Sequence, residues 1–275
     1  MIVYMCTIML FSLAWGFYLS FTNKMIGSTP TWVGFKNYIT LLKTPAYIDS
    51  VVVTIKFTCT AIALKLIFGM IQALVLNVQF PGKNIARALL LIPWSIPMIT
   101  AALNWRWIFA GNGGAVNYIL KSLGIIDKNL NWLGSANLAF FVIVFVDVWR
   151  GTPFFGTSIL SRLQNIPDVY YEAAEIDGAN RFQRFIYITL PNVKNTVFVT
   201  TIISTIWTLN TFGFIWNLTG GGPNHTTELM NVYSYLTAMS NRMLGRGLAV
   251  SIMAMPVLLV LIQIVSRQNL KTIDN

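Results

Sequence analysis

Apolar residues in this chain run on for membrane length, without the alternation of a strand or the narrow stripe of a surface helix. Six stretches are long enough to cross a hydrocarbon core, at about 2–21, 52–78, 85–108, 138–160, 196–218 and 247–266. The connectors near 22–50, 109–137 and 219–246 are more polar and long enough to form short surface elements. Pro93 and Pro97 lie four apart in the third stretch, hence on one helical face, which predicts a kink there. The pattern predicts an all-α polytopic membrane protein with about six transmembrane helices, built as a single domain over 1–275.

One polar, charge-rich island interrupts this pattern, EAAEIDGANRFQRFIYITLP from Glu172 to Pro191. Pro167 and Asp168 suit a helix start, because proline lacks the amide that a first turn leaves unpaired and an acid favours the positive end. Tyr170, Ala173, Ala174 and Asp177 then share one face at helical spacing, with Glu172 and Glu175 to the side. Gly178 can take the left-handed conformation that ends such a helix. A second helix from about Ala179 to Thr189 would align Phe182, Phe185, Ile186 and Thr189, and Pro191 discourages its continuation. The island therefore predicts a helix, a sharp bend and a second helix. The bland reading of such a segment is an ordinary amphipathic connector.

Composition narrows the class. Of 275 residues, 55% are hydrophobic and only 10% charged, and the mean hydropathy is +0.63. A water-soluble domain carries roughly 25% charged residues, so this chain belongs in a bilayer. The net charge of +10 is spread along the chain with no basic run, which suits a membrane surface better than nucleic acid. Cys6 and Cys59 fall inside apolar stretches and read as small core residues, offering neither a disulfide framework nor a metal site. With both termini inside, the inner cations would be Lys83, Arg87, Arg162, Arg181, Arg184, Lys194, Arg267 and Lys271. The outer ones would be Lys24, Lys36, Lys43, Arg106, Lys121, Lys128, Arg242 and Arg246, an equal number, so charge alone does not orient the chain.

The island resembles the EAA loop of ATP-binding-cassette importer permeases, through Glu172-Ala173-Ala174, Asp177-Gly178-Ala179 and the Leu190-Pro191 ending. Other stretches are similar to the sugar permeases of that family (the MalF/UgpA type). They are Trp32–Tyr38, Leu91–Pro97, Trp105–Phe109, Asp147–Phe154 and Leu218–Pro223, and the resemblance extends over nearly the whole chain, from about Trp15 to Arg267. The resemblance implies a cytoplasmic coupling loop at about 161–195, with Glu172, Ala173, Ala174, Asp177 and Gly178 at its centre. It also implies a second, unlike permease subunit, two ATP-binding ATPase subunits and an extracytoplasmic solute-binding protein. The complex would sit in a bacterial or archaeal cytoplasmic membrane and import a carbohydrate; glycerol phosphate or another polar solute is the alternative. Permeases of this kind carry a cytoplasmic tail ahead of the first span. Here the apolar run begins at Ile2 with no charged segment before it, which reads as an uncleaved first span and a shortened start.

Candidate chemistry is sparse. No GxxxxGK[ST] run occurs, so ATP and magnesium would be held by the partner ATPases and no cofactor by this chain. GxSxG, HExxH and paired His-acid motifs are also absent, which argues against an intramembrane enzyme; a passive channel or scaffold subunit would not need the island. Asp147 and Arg150, three apart within a span, read either as pathway lining or as an ion pair with each other, and the spacing favours the pair. Lys56 and Lys65 could snorkel or face a cavity, and snorkelling is the favoured reading. Trp149, Trp207, Asn210, Trp216 and Asn217 are the sugar-pathway candidates, since aromatic faces stack on sugar rings and amides bond hydroxyls; interfacial packing is the competing role. His225, the single histidine, sits in the glycine-rich 219–227 loop and makes a poor metal ligand or base, and that loop reads as a turn facing the binding protein. The sequons at Asn217 and Asn224 are discounted in a bacterial membrane protein.

Overall fold

The computed structural model describes the backbone of residues 2–273 and the side chains of residues 4–266. Its helices are α1 (Ile2–Ser20), α2 (Lys36–Lys43), α3 (Pro45–Asn77), α4 (Lys83–Ser95), α5 (Met98–Ile108), α6 (Ala115–Ser122) and α7 (Ala136–Leu163). They continue with α8 (Asp168–Ile176), α9 (Arg181–Arg184), α10 (Leu190–Leu209), α11 (Phe212–Leu218), α12 (Met230–Tyr235) and α13 (Leu244–Ile273). Among the described residues extended pairing is limited to a single bridge between Thr22 and Trp32. The all-α class is as the apolar pattern predicts, and α2, α6 and α12 are the short elements expected in the polar connectors.

Helices α3, α7 and the Leu244–Ser266 part of α13 are each long and apolar enough to cross a membrane. Two bent pairs, α4 with α5 and the 181–209 stretch with α11, bring the number to five if each is one crossing. The remaining expected span coincides with α1, whose described part Tyr4–Ser20 is apolar but shorter than these. The expected kink in the third stretch is a complete break. Pro93 is carried inside α4, but Ile96, which precedes Pro97, is extended at φ −73° and ψ 129°, the conformation that a following proline favours.

The described chain clusters into two compact units, to both of which α3, α7 and α13 contribute. The first takes Met1–Phe57, Ala102–Ile143 and Asn210–Leu261. In it Leu41, Tyr47, Ala249 and Val250 form a buried core, and the amide of Asn37 donates to the carbonyls of Ser20 and Thr22, each at 2.8 Å. Asn117, 2% exposed, organises the connector after α5. Its amide donates to the carbonyls of Gly111 and Leu130 at 3.0 Å, while its oxygen accepts from the Leu130 N–H at 3.1 Å and the Trp132 indole at 3.0 Å.

The second unit takes Thr58–Ala101, Val144–Leu209 and Ile262–Asn275. Its core joins Ala73 and Leu76 of α3 to Phe155, Ile159, Leu160 and Leu163 of α7, with Ile166 and Val193. Glycine makes this approach close: a Cβ at Gly69 would stand 2.3 Å from Phe155 Cβ, and one at Gly156 would stand 2.6 Å from Gln72 Cδ.

One expectation is corrected here and another is not reached. Cys6 and Cys59 are exposed free thiols on apolar helices rather than core residues, since a bilayer-facing surface has no need to bury them. The side chains of Arg267 and Lys271, counted among the inner cations, lie outside the described residues.

Candidate functional site

The polar island folds into a helix, a corner and a second helix that keeps going. Asp168 occupies the first turn of α8, one residue after Pro167 at the cap. At the far end Gly178 has φ +77°, its N–H donates to Glu175 O at 3.0 Å, and Ala179 N–H donates to Ala174 O at 2.8 Å. This is the six-to-one and five-to-two closure in which a left-handed residue satisfies the last carbonyls of a helix, as Gly178 was expected to allow. Asn180 then caps α9 reciprocally: its side chain accepts from the Gln183 N–H at 2.9 Å, and its own N–H donates to the Gln183 side chain at 2.8 Å. The N-x-x-Q spacing is the sequence signal for this capping box.

The expected stop at Pro191 does not occur. After α9 the backbone makes one π turn over Phe185–Thr189, with Leu190 N–H bonding back five residues to Phe185 O, and runs directly into α10. Proline breaks an α-helix because it lacks an N–H and its ring meets the carbonyl four residues back; a wider turn just before it shifts that carbonyl out of register. The second helix of the island and the fifth apolar stretch are therefore one continuous element.

The corner is pinned from below and open outward. Tyr171 and Ile188 pack on the α3–α7 core of the second unit, the Tyr171 hydroxyl lies 3.0 Å from Thr189 Oγ1, and Arg162 of α7 donates to Asn192 O at 3.1 Å. Arg184 pairs with Glu175 at 2.9 Å across the corner. Of the predicted centre, Glu172, Ala173, Asp177 and Gly178 are exposed and Ala174 is half-buried. Around them Ile176 is 87%, Tyr187 76% and Phe182 71% exposed, large apolar side chains on an otherwise polar segment.

The intramembrane charges are arranged differently from expectation. Asp147 pairs with Lys65, Nζ to Oδ2 at 2.6 Å, and Lys65 also donates to Thr208 Oγ1 at 3.0 Å. Arg150 instead donates to Ile96 O at 3.4 Å, at the end of α4. Lys65 is thus buried rather than snorkelling, because a carboxylate and a hydroxyl on neighbouring helices complete it. Lys56 is exposed and lines a cavity of about 430 Å³ with Val53, Ala136, Asn137, Phe140 and Thr226 in the first unit. Opposite charges in separate spans were the available signal for the Lys65–Asp147 pair.

The five pathway candidates fall in different surroundings. Trp149 is half-buried in the second unit. Trp207 in the same unit is 49% exposed, with one face against Phe154 at 4.7 Å between centroids. In the first unit Trp216 packs against Phe212 and Tyr235, and the Asn217 amide donates to Gly213 O at 2.7 Å; both are half-buried. Asn210 is exposed at the break between α10 and α11. In the 219–227 loop His225 is exposed and pairs with Glu228.

Apolar spanning helices, a polar corner between two of them and paired charges inside define a polytopic membrane transport subunit. Residues 65–272 match the family model of the binding-protein-dependent transport system inner membrane component, and the chain belongs to that family. It is 41% identical over 204 residues to the trehalose/maltose transport system permease protein MalF of Thermococcus litoralis, covering 74% of this chain and 68% of that one. It is 31% identical over 247 residues to the diacetylchitobiose uptake system permease protein DasB of Streptomyces coelicolor, covering 88% and 75%. In fold it is similar to a bacterial ABC transporter involved in the import of the acidic polysaccharide alginate, with a TM-score of 0.80 at 20% identity over 95% of this chain and 90% of that one. The chain is therefore a membrane-embedded permease subunit of an ABC importer, as the island and its flanking motifs imply.

Proposed function

We propose that this chain forms half of the translocation pathway of a carbohydrate importer in a bacterial or archaeal cytoplasmic membrane, taking an oligosaccharide or related glycan from a solute-binding protein. A second, unlike permease subunit supplies the other half. Two ATPase subunits bind ATP and magnesium and dock on the 161–195 segment, which lies in the cytoplasm with both termini. Glu172, Ala173, Ala174, Asp177 and Gly178 form the centre of that docking segment, and Trp149, Trp207, Asn210, Trp216 and Asn217 are the candidate pathway residues.

The observation that carries this reading is the α8–Gly178–α9 corner, closed by its own hydrogen bonds and presenting Ile176, Phe182 and Tyr187 outward. A chain without a phosphate-binding loop must receive energy by contact, and a rigid corner with exposed apolar anchors suits such a contact. The sugars in the names of its relatives support the carbohydrate assignment.

The test is reconstitution of the chain with its permease partner, ATPases and binding protein in proteoliposomes, followed by a ligand screen for stimulated ATP hydrolysis and uptake. Stimulation by an oligosaccharide supports the reading. Stimulation by glycerol phosphates alone moves the substrate class, and solute flux without ATP overturns the importer in favour of a channel.

A further inference from the structure

We propose that Lys65, Asp147 and Thr208 form a charge clasp that carries movement of the coupling segment to α3, making them positioning residues for transport. The inference rests on the coupling role given to the 161–195 segment.

The clasp is a built feature. Lys65 is 3% exposed, and its ammonium lies 2.6 Å from Asp147 Oδ2 and 3.0 Å from Thr208 Oγ1, which belong to two other helices. Space is reserved for it: a Cβ at Gly151, one turn after Asp147, would stand 2.5 Å from Lys65 Cε. Stability alone does not call for such a pair, because apolar residues of similar volume hold a buried site as well or better. Within spanning helices an ionisable group is a functional candidate by default.

Connectivity gives it its function. Asp147 is on α7, which leads into the coupling segment roughly 24 Å further along the helix. Thr208 is on α10, which leaves that segment without a break through the π turn at Phe185–Thr189. Lys65 is on α3, which has no short covalent link to the segment. The clasp is thus the polar tie, beyond the apolar core they share, by which both arms of the coupling segment hold a third spanning helix. A helix transmits displacement along its axis, and a buried ion pair resists separation in a low dielectric, so α3 must follow the arms while the clasp holds.

The test uses the assembled importer in proteoliposomes, measuring assembly, ligand-stimulated ATP hydrolysis and solute taken up per ATP. Lys65→Met with Asp147→Leu removes both charges together and so avoids stranding one of them. The double variant is expected to assemble and hydrolyse ATP, with uptake per ATP falling about tenfold. Wild-type uptake per ATP in the assembled double variant overturns the proposal and leaves the pair as packing. Should the double variant fail to assemble, Thr208→Val decides, since it is isosteric and keeps the ion pair: reduced uptake per ATP supports the clasp and an unchanged value overturns it. A Gly178→Val complex run alongside separates the two readings. If that variant loses coupling while the clasp variants keep theirs, the clasp alone fails; if it keeps coupling, the role of the segment fails first.

Discussion

Gly178 offers the sharpest probe of the coupling corner, because its geometry separates backbone strain from crowding. The residue has φ +77°, and a side chain built there meets nothing within 4 Å. Substitution therefore costs only the left-handed conformation, about 1–2 kcal/mol for an ordinary L-residue, less for asparagine and more for a β-branched one. The packing of Tyr171 and Ile188 below the corner is unchanged by such a substitution, and the polar ties across the corner itself are weak. The Glu175–Arg184 pair has a carboxylate side chain that is 71% exposed, so solvent screens it to about 0–1 kcal/mol, and the Asn180 box contributes roughly 1 kcal/mol. A penalty of that size lowers the ratio of bent to unbent corner by a factor of about 5–30. Gly178→Asn, Gly178→Ala and Gly178→Val should then lose ligand-stimulated hydrolysis and uptake in that order, at equal membrane insertion. The assay is both activities in reconstituted complexes normalised to assembled permease. Wild-type activity for the valine variant would refute the reasoning, and so would an asparagine variant as impaired as valine.

Three further outcomes are expected. In a background lacking Cys6 and Cys59, His225→Cys should react with an impermeant maleimide from outside and Gln164→Cys only after permeabilisation; the reverse pattern inverts the orientation. Asn117→Ala strands the Leu130 N–H, the Trp132 indole and their neighbouring carbonyls, at a cost of about 1–3 kcal/mol, read as a lower melting temperature or new proteolysis in residues 109–132. Trp149→Ala and Asn210→Ala should each lower uptake at limiting solute while assembly is retained, a lost sugar stack contributing on the order of 1 kcal/mol; normal uptake by both removes them from the pathway.

What the sequence disclosed divides by range. The spans follow from run length, and the corner from the offset between the Glu172 triplet and Gly178, both local properties of an apolar chain with one polar interruption. Asp147 shows the limit. Its near neighbour Arg150 is the partner that helical spacing offers, yet the carboxylate joins Lys65 from another span, because Gly151 opens room for a lysine that no linear pattern reveals. The surroundings of the pathway candidates are hidden from the sequence for the same reason. Residue type marks Trp207 and Trp216 alike, but the second packs on both Phe212 and Tyr235 and the first on Phe154.

Pro191 carries the mechanical point. Had it ended the helix of the island, a flexible joint would separate the exposed corner from the membrane, and rotation of the corner would be absorbed there. The π turn at Phe185–Thr189 removes the joint while accommodating the missing amide. Phe182, on the exposed face, and Thr208, at the Lys65 contact, therefore belong to one uninterrupted helical element. The proposed coupling needs a stiff path of this kind, since a contact at the protein's surface can shift its interior only through parts that do not yield between them.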